Sequence, residues 1–334
     1  MTSRNRSYLV TGASGFIGAW IVKTLIERGD SVTTLELHAE THRIAALLDQ
    51  DARSKINERQ GDIADLEAVR GAVAAAEPDA IIHLAGLQVP ACRADPIAGA
   101  RVNVLGTLNV FETAREAGVR NVTYASSAAV YGPAPPDQAI KEHEYIAPVT
   151  HYGVFKKANE GTAQVYWNDN SIASAGLRPL TVYGLGRDRG LTSAPTTAMK
   201  AALLGLKFKL PLTGPTDFLY AEDAAQAFIT CADEITEGAH VFNIAGESTT
   251  MESCIELIDK ALPEDRRGLL TCEGSEIPIA PRLDDTALRA ATSYAHQTRL
   301  EDGIRHTLNH FQTLLDKGSL DRSDLPAHAE GAST

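Results

Sequence analysis

Thr11-Gly12-Ala13-Ser14-Gly15-Phe16-Ile17-Gly18 sets three glycines at three-residue spacing between a short apolar run and an apolar helical pattern. Upstream, Tyr8-Leu9-Val10 reads as a buried parallel strand, and downstream Phe16, Ile17, Trp20, Ile21 and Leu25 recur at helical spacing as far as Arg28. The glycines therefore occupy a strand-to-helix turn. A tight turn, a backbone that must approach phosphate closely, and a helix packed against its strand each call for the smallest residue. The helix start adds unpaired N–H groups and the positive end of its dipole. The stretch predicts a doubly wound parallel α/β sheet whose first turn receives a dinucleotide pyrophosphate. Gly12, Ser14, Gly15, Phe16, Ile17 and Gly18 are expected to hold it.

Ser31-Val32-Thr33-Thr34-Leu35 is a β-branched run ending in Glu36. An acid about twenty residues beyond the glycine turn is placed to accept hydrogen bonds from the ribose hydroxyls of NAD, and it repels a 2′-phosphate. NAD is thus favoured over NADP. Arg43 is the one nearby cation that keeps NADP open, should it fold back toward the ribose.

Strand-like and helical stretches continue to alternate. Strands are expected at 56–59, 80–84 and 121–126. Helices are expected at 65–76, as one long unit from 96 to 118, and at 152–170, with a proline-rich surface loop from 133 to 148. Beyond residue 178 the alternation weakens, and helical patterns recur near 222–233, 251–261 and 299–316. The expected organisation is a nucleotide-binding domain over 1–178 and a smaller substrate lobe over 179–316, some of whose segments return to the first domain. A polar, mobile tail is expected over 317–334.

The chain has 334 residues, 44% hydrophobic and 22% charged, enough to bury one large α/β core and a smaller lobe. A formal charge of −12 is the wrong sign for a nucleic-acid partner. No apolar run approaches the ~20 residues of a membrane span. The first residues lead straight into the first strand, so a cytoplasmic location is the default expectation. Cys92, Cys231, Cys254 and Cys272 lack metal-ligand spacing and are expected to be reduced packing residues, with no metal bound.

The chemistry centres on Tyr152-Gly153-Val154-Phe155-Lys156 at the start of the helix at 152–170. An i, i+4 pair shares one helix face. Of nine tyrosines, only Tyr152 has a lysine at that offset. A cation within ~4–6 Å lowers a phenol from its usual pKa near 10, so Lys156 is expected to prepare Tyr152 as proton acceptor from a substrate hydroxyl. Ser126-Ser127, at the end of the fifth strand, can hydrogen-bond the oxygen that interconverts between alcohol and ketone.

With His83-Leu84-Ala85-Gly86, Asn103 in Asn103-Val104-Leu105-Gly106-Thr107, and Ser126-Ser127-Ala128-Ala129-Val130-Tyr131-Gly132 added, the chain resembles the extended short-chain dehydrogenase/reductase family, in its NAD-dependent epimerase/dehydratase branch. The motifs fall in the family's order over about the first 190 residues. The resemblance implies a Rossmann fold with a small C-terminal substrate lobe, bound NAD, and a catalytic triad of Ser127, Tyr152 and Lys156. Tyr152 and Lys156 also border the nicotinamide ribose. Asp62-Ile63 matches the adenine contact, Leu84, Ala85 and Gly86 match the strand-end backbone near the pyrophosphate, and Asn103 is carried over as a cofactor-side residue. The family's pairing of the helices near 96–118 and 152–170 implies a homodimer.

Two departures narrow the activity. Dehydratases of this type carry an Asp-Glu pair where this chain has Ala128 and Ala129, so the acid and base for water elimination are missing. Nucleotide-sugar epimerases carry an arginine where Thr216 precedes Asp217-Phe218-Leu219. Without that fork a diphosphate loses a charge-assisted contact worth about 1.5–3 kcal/mol, which counts against a UDP-sugar. The pocket is assigned to Gln88, Ser126, Ser127, Tyr183, Arg187 and Arg189. The two arginines suit a carboxylate or dense hydroxyls; the competing assignment is surface ion pairing with Asp188. Arg282 is a further candidate anion contact. The expected chemistry is NAD-linked hydride transfer at a secondary alcohol of a carbohydrate-like substrate, leading to epimerisation through a keto intermediate. Net dehydrogenation and an NAD-binding redox sensor without catalysis are the alternatives.

Overall fold

The computed structural model describes residues 5–38, 41–295 and 297–325. The first half builds β1 (Ser7–Thr11), α1 (Phe16–Arg28), β2 (Ser31–Glu36), the short α2 (His42–Leu47) and α3 (Gln50–Arg53), β3 (Ile56–Gln60), α4 (Leu66–Ala76), β4 (Ala80–His83), α5 (Val89–Ala94) and α6 (Pro96–Ala100). A π-helical turn, Arg101–Leu105, leads into α7 (Gly106–Ala117), β5 (Asn121–Ala125), α8 (His151–Asn170) and β6 (Ala173–Arg178). The second half adds β7 (Thr181–Tyr183), α9 (Ala194–Leu203), β8 (Phe208–Leu212), β9 (Pro215–Tyr220), α10 (Ala221–Glu234), β10 (Ala239–Asn243) and β11 (Glu247–Thr250). It ends with α11 (Met251–Ala261), β12 (Leu270–Ser275), α12 (Thr286–Ala291) and α13 (Leu300–Asp316).

Seven parallel strands form the central sheet in the order β3-β2-β1-β4-β5-β6-β10. Chain direction across the sheet reverses between β1 and β4, and that switch point opens a crevice at the carboxyl ends of the strands. β10 comes from the second half of the chain and completes the sheet. β7, β9 and β11 form one small sheet, and β8 with β12 forms another. Trp20, 1% exposed, ties the halves together: its indole N–H donates to Leu185 O at 2.9 Å and its ring meets Tyr220 edge-on at 5.6 Å.

Several expectations need correcting. The long helix expected from 96 to 118 is interrupted by the π turn at Arg101–Leu105, whose wider winding turns Asn103 inward. The loop at 133–148 is pinned at Ile140, which is fully buried and bridges to Leu283. Residues 317–325, expected as the start of a mobile tail, are packed: Lys200 Nζ pairs with Asp324 at 2.6 Å and donates to Asp321 O at 3.0 Å, and Leu320 rests on the core. The remainder of that expected tail, 326–334, lies outside the described residues. Cys92, Cys231 and Cys254 are buried and Cys272 partly so, all as free thiols. Among the described residues no helix is long and apolar enough to cross a membrane.

A buried ion pair joins α8 to β6. Arg178 donates to both oxygens of Glu160, at 2.7 and 2.6 Å, and to Tyr131 Oη at 2.7 Å, while Tyr131 donates to Asn243 Oδ1 at 2.7 Å. Removing one member strands the other charge away from water. Arg178→Met is expected to lower unfolding free energy by about 3–5 kcal/mol in urea titrations; a loss below about 1 kcal/mol would show that the pair contributes little.

Candidate active site

Gly12 ends β1 with φ +72°, and a Cβ there would lie 2.5 Å from Ala85 N. On Gly18 a Cβ would come within 2.2 Å of Gly12 O. The turn thus leaves no room for side chains at the points where β1, α1 and the segment after β4 converge. Leu84 N donates to Thr11 O at 2.9 Å, which fixes Leu84-Ala85-Gly86 along the crevice. Gly15 is the N-cap of α1 and supplies no side-chain cap, so Phe16, Ile17 and their neighbours present free N–H groups at the helix start. Ser14 donates to Glu36 through its N–H at 3.0 Å and its hydroxyl at 2.7 Å. Burial pushes the Glu36 carboxyl above its ordinary range, and the Ser14 hydrogen bonds oppose that. Each Glu36 oxygen keeps a further lone pair, so the carboxylate can still accept from ribose hydroxyls.

Arg43 folds over the turn and is engaged through each of its three nitrogens. It donates to Ser14 O at 2.8 Å and Gly186 O at 3.1 Å, and it grips Asp188 at 2.7 and 3.1 Å. A 2′-phosphate would have to break this clamp. Asp62 lies at the end of β3, accepts from Ala64 N at 2.8 Å and pairs loosely with Arg101 at 3.6 Å. Ile63 is buried, and its carbonyl accepts from Asn109 at 3.0 Å.

At the other wall, Thr150 caps α8 by accepting from Gly153 N at 3.1 Å, which orients Tyr152 and Lys156 one turn apart. Lys156 is buried; its Nζ donates to Ala125 O at 2.7 Å and lies 5.5 Å from the centre of the Tyr152 ring. Burial lowers its pKa to about 8. Ser127 is extended, its Oγ accepts from Ala129 N at 3.1 Å, and it lies against the Tyr152 phenol. Burial raises the pKa of that phenol; the Ser127 hydroxyl and the charge of Arg187 lower it. Lys156, the cation expected to prepare the phenol, faces the Tyr152 ring and the Ala125 carbonyl, and the charge of Arg187 also acts on the phenol in the lowering direction.

A Cβ on Gly86 would fall 2.5 Å from Asn103 Oδ1 and 3.5 Å from Lys156 Nζ, so both groups converge on this glycine. Asn103 Oδ1 is buried without a partner, while its Nδ2 donates to Leu87 O at 3.1 Å. A narrow glycine-lined cradle, an uncapped helix start and an orphaned acceptor beside a lysine fit a dinucleotide with one polar end near Lys156.

Three of the expected pocket residues are elsewhere. Ser126 is buried and gives its hydroxyl to Glu160 at 2.6 Å; in the extended segment just after β5 successive side chains point opposite ways, and Ser127 turns to the crevice. Tyr183 is fully buried among Phe218 and Tyr220, a core residue. Arg189 is exposed on the loop, and so is Arg282. Arg187 and Gln88 do meet at the crevice: a Cβ on Gly190 would lie 2.2 Å from Gln88 Oε1 and 3.4 Å from Arg187 Nη2. Sequence reasoning missed Cys92 as a neighbour of Asn103, 3.3 Å from its Nδ2. It also missed the Thr150 cap, although a threonine just ahead of a helical pattern is a legible signal.

Residues 8–245 match the NAD dependent epimerase/dehydratase family. The chain belongs to that family. It is 30% identical over 311 residues to a UDP-glucose 4-epimerase of Mycolicibacterium smegmatis, covering 91% of this chain and 98% of that one. It is 23% identical to a UDP-glucuronate 4-epimerase of Thermodesulfobacterium geofontis over 90% of this chain and 95% of the relative. The crystal structure of Thermus thermophilus UDP-glucose 4-epimerase with NAD superposes with a TM-score of 0.77 at 26% identity, over 91% of this chain and 98% of that one. The doubly wound fold is therefore shared with this epimerase family, and NAD is the family's cofactor.

Gly12→Ala places a methyl group against the Ala85 backbone at a φ that L-residues rarely adopt. It is expected to weaken NAD binding by about 100-fold or more, two steps of 1.4 kcal/mol. Calorimetric titration of NAD checks this, and an unchanged affinity would remove the turn from the cofactor site.

Proposed function

We propose that this chain is an NAD-dependent epimerase that inverts a secondary alcohol centre of a carbohydrate-like substrate through a keto intermediate. The observation that carries the reading is the convergence of Ser127, Tyr152 and Lys156 on the crevice beside the glycine turn, in a chain aligned along nearly its whole length with epimerases. Tyr152, as its phenolate, takes the proton from the substrate hydroxyl, and the Ser127 hydroxyl donates to the same oxygen as it becomes a carbonyl. NAD held at the glycine turn would supply reversible two-electron chemistry at the substrate carbon. Lys156, with two donors left beyond Ala125 O, would hold the nicotinamide ribose. Ala128 and Ala129 offer no acid or base, so elimination of water has no residue to perform it here.

Tyr152→Phe is expected to lower kcat by at least about 100-fold, the lower range of a lost acid–base group, with NAD affinity nearly intact. Lys156→Met is expected to damage both. Stereochemical analysis of the product, with the cofactor remaining oxidised overall, is the check. Stoichiometric NADH accumulation would make the chain a dehydrogenase instead, and full activity in the tyrosine variant would end the assignment.

We also infer that the protein is a homodimer built on α7 and α8. Ile97, Leu105, Leu108, Val154 and Val165 are exposed along these helices and the adjoining turns, a spread of apolar surface that a monomer would leave in water. Val165→Glu should shift the protein to monomers in sedimentation experiments; a wild-type protein that is monomeric at micromolar concentration would contradict the inference.

A further inference from the structure

Arg187 follows β7 on the loop that crosses the crevice, and its guanidinium is underused. Nη2 donates to Thr192 Oγ1 at 2.7 Å, the plane lies over the Phe16 ring at 5.6 Å, and Nε is buried with no hydrogen-bond partner. The neighbouring acid does not satisfy it. Asp188 turns away and gives both oxygens to Arg43, with His42 at 3.4 Å from one of them. Surface pairing of Arg187 with Asp188, the competing expectation, is therefore absent. Gln88 Oε1 lies near Arg187 beside Gly190, and the Tyr152 phenol is close enough to feel the charge.

We propose that Arg187 receives a carboxylate of the substrate, and that this substrate is a free sugar acid carrying no nucleotide. The proposal deepens the epimerase reading and rests on the same site. A guanidinium with a free N–H edge matches the two oxygens of a carboxylate, and a half-buried cation whose neighbouring acid is hydrogen-bonded elsewhere gains from an arriving anion. Burial works against the Arg187 charge, the condition that a bound anion would relieve. The nucleotide side of the pocket has the opposite character. Thr216, which replaces the arginine of nucleotide-sugar epimerases, is 1% exposed and closed onto Thr181 Oγ1 at 2.8 Å. Its neighbour Asp217 is a buried acid, accepting from Gly246 N at 2.5 Å and Ser248 Oγ at 3.1 Å. Thr216 itself offers no charge to a diphosphate, and the nearest cation in sequence to this acid's backbone partner Leu283 is the exposed Arg282.

The experiment titrates the NAD-loaded protein calorimetrically with D-glucuronate, D-galacturonate, D-gluconate and D-galactonate, each beside its neutral sugar, and with UDP-glucose. At least one acid is expected to bind about 10- to 100-fold more tightly than its neutral counterpart, the range of a charged hydrogen-bonded contact. Arg187→Gln should erase that preference, Arg187→Lys should restore part of it, and the NAD affinity of both variants reports that they fold. Equal binding of acids and neutral sugars, or tighter binding of UDP-glucose than of every free acid, would overturn the proposal. So would an Arg187→Gln variant whose NAD affinity falls as far as its acid affinity, since the guanidinium would then serve the pyrophosphate. Acid binding through Arg187 without inverted product would sustain this proposal and defeat the epimerase reading. Inversion of neutral sugars alone would do the reverse.

Discussion

The close approach of Gly12 to the backbone of Leu84 and Ala85 is the constraint on which the rest of the molecule depends. A side chain at that point would hold β1 and the segment after β4 apart. The crevice at the switch point exists because those two strand ends nearly touch while the connections leaving them diverge to opposite faces of the sheet. Gly18, against Gly12 O, brings α1 down to the same place. Polar groups then gather around a backbone that is already fixed: Glu36 from β2, Asn103 from the π turn, and Lys156 from α8. None of them creates the site; each is delivered to it by a strand end or a helix start.

The second support is electrostatic and lies on the far side of the catalytic wall. Arg178 and Glu160 bind β6 to α8, and through Tyr131 and Asn243 they reach β10 and the loop after β5. Burying two charges earns little net stability, but it allows few alternative positions, since any shift of α8 leaves a charge without its partner. Tyr152 and Lys156 stand two turns and one turn before Glu160 on the same helix. The register of α8, fixed by Thr150 at its start and by Glu160 in its middle, is thereby also the register of the phenol and the ammonium.

Most of this was legible in the sequence because it follows from backbone periodicity. The glycine spacing, the β-branched run ending at Glu36, and the Tyr152–Lys156 offset each specify a local geometry that tertiary structure then uses. What could not be read is what long-range partners decide. Ser126 and Ser127 are chemically alike, and only the facing of Glu160 and the alternation of the strand separate a structural hydroxyl from one in the crevice. Tyr183 is a core residue because Phe218 and Tyr220, far along the chain, close around it. The inward turn of Asn103 depends on a π turn that helical spacing alone does not announce. The packing of residues 317–325 depends on Lys200, more than a hundred positions earlier, so their polar composition suggests a loose tail although they are held.

Arg43 and Arg187 show how surroundings, not residue type, assign a task. Arg43 is held through all three nitrogens by Ser14 O, Gly186 O and Asp188, so it acts as a clamp that binds the glycine turn to the loop after β7. That clamp consumes the only acid adjacent to Arg187 in sequence. Neighbouring residues on an extended loop point in different directions, so holding Asp188 outward against Arg43 presses Arg187 inward over Phe16, toward the phenol. The spare donors of Arg187 thus follow from the engagement of Asp188 by Arg43. A single loop position ties the cofactor turn to a cation that faces the substrate side, so displacing Asp188 would disturb both at once.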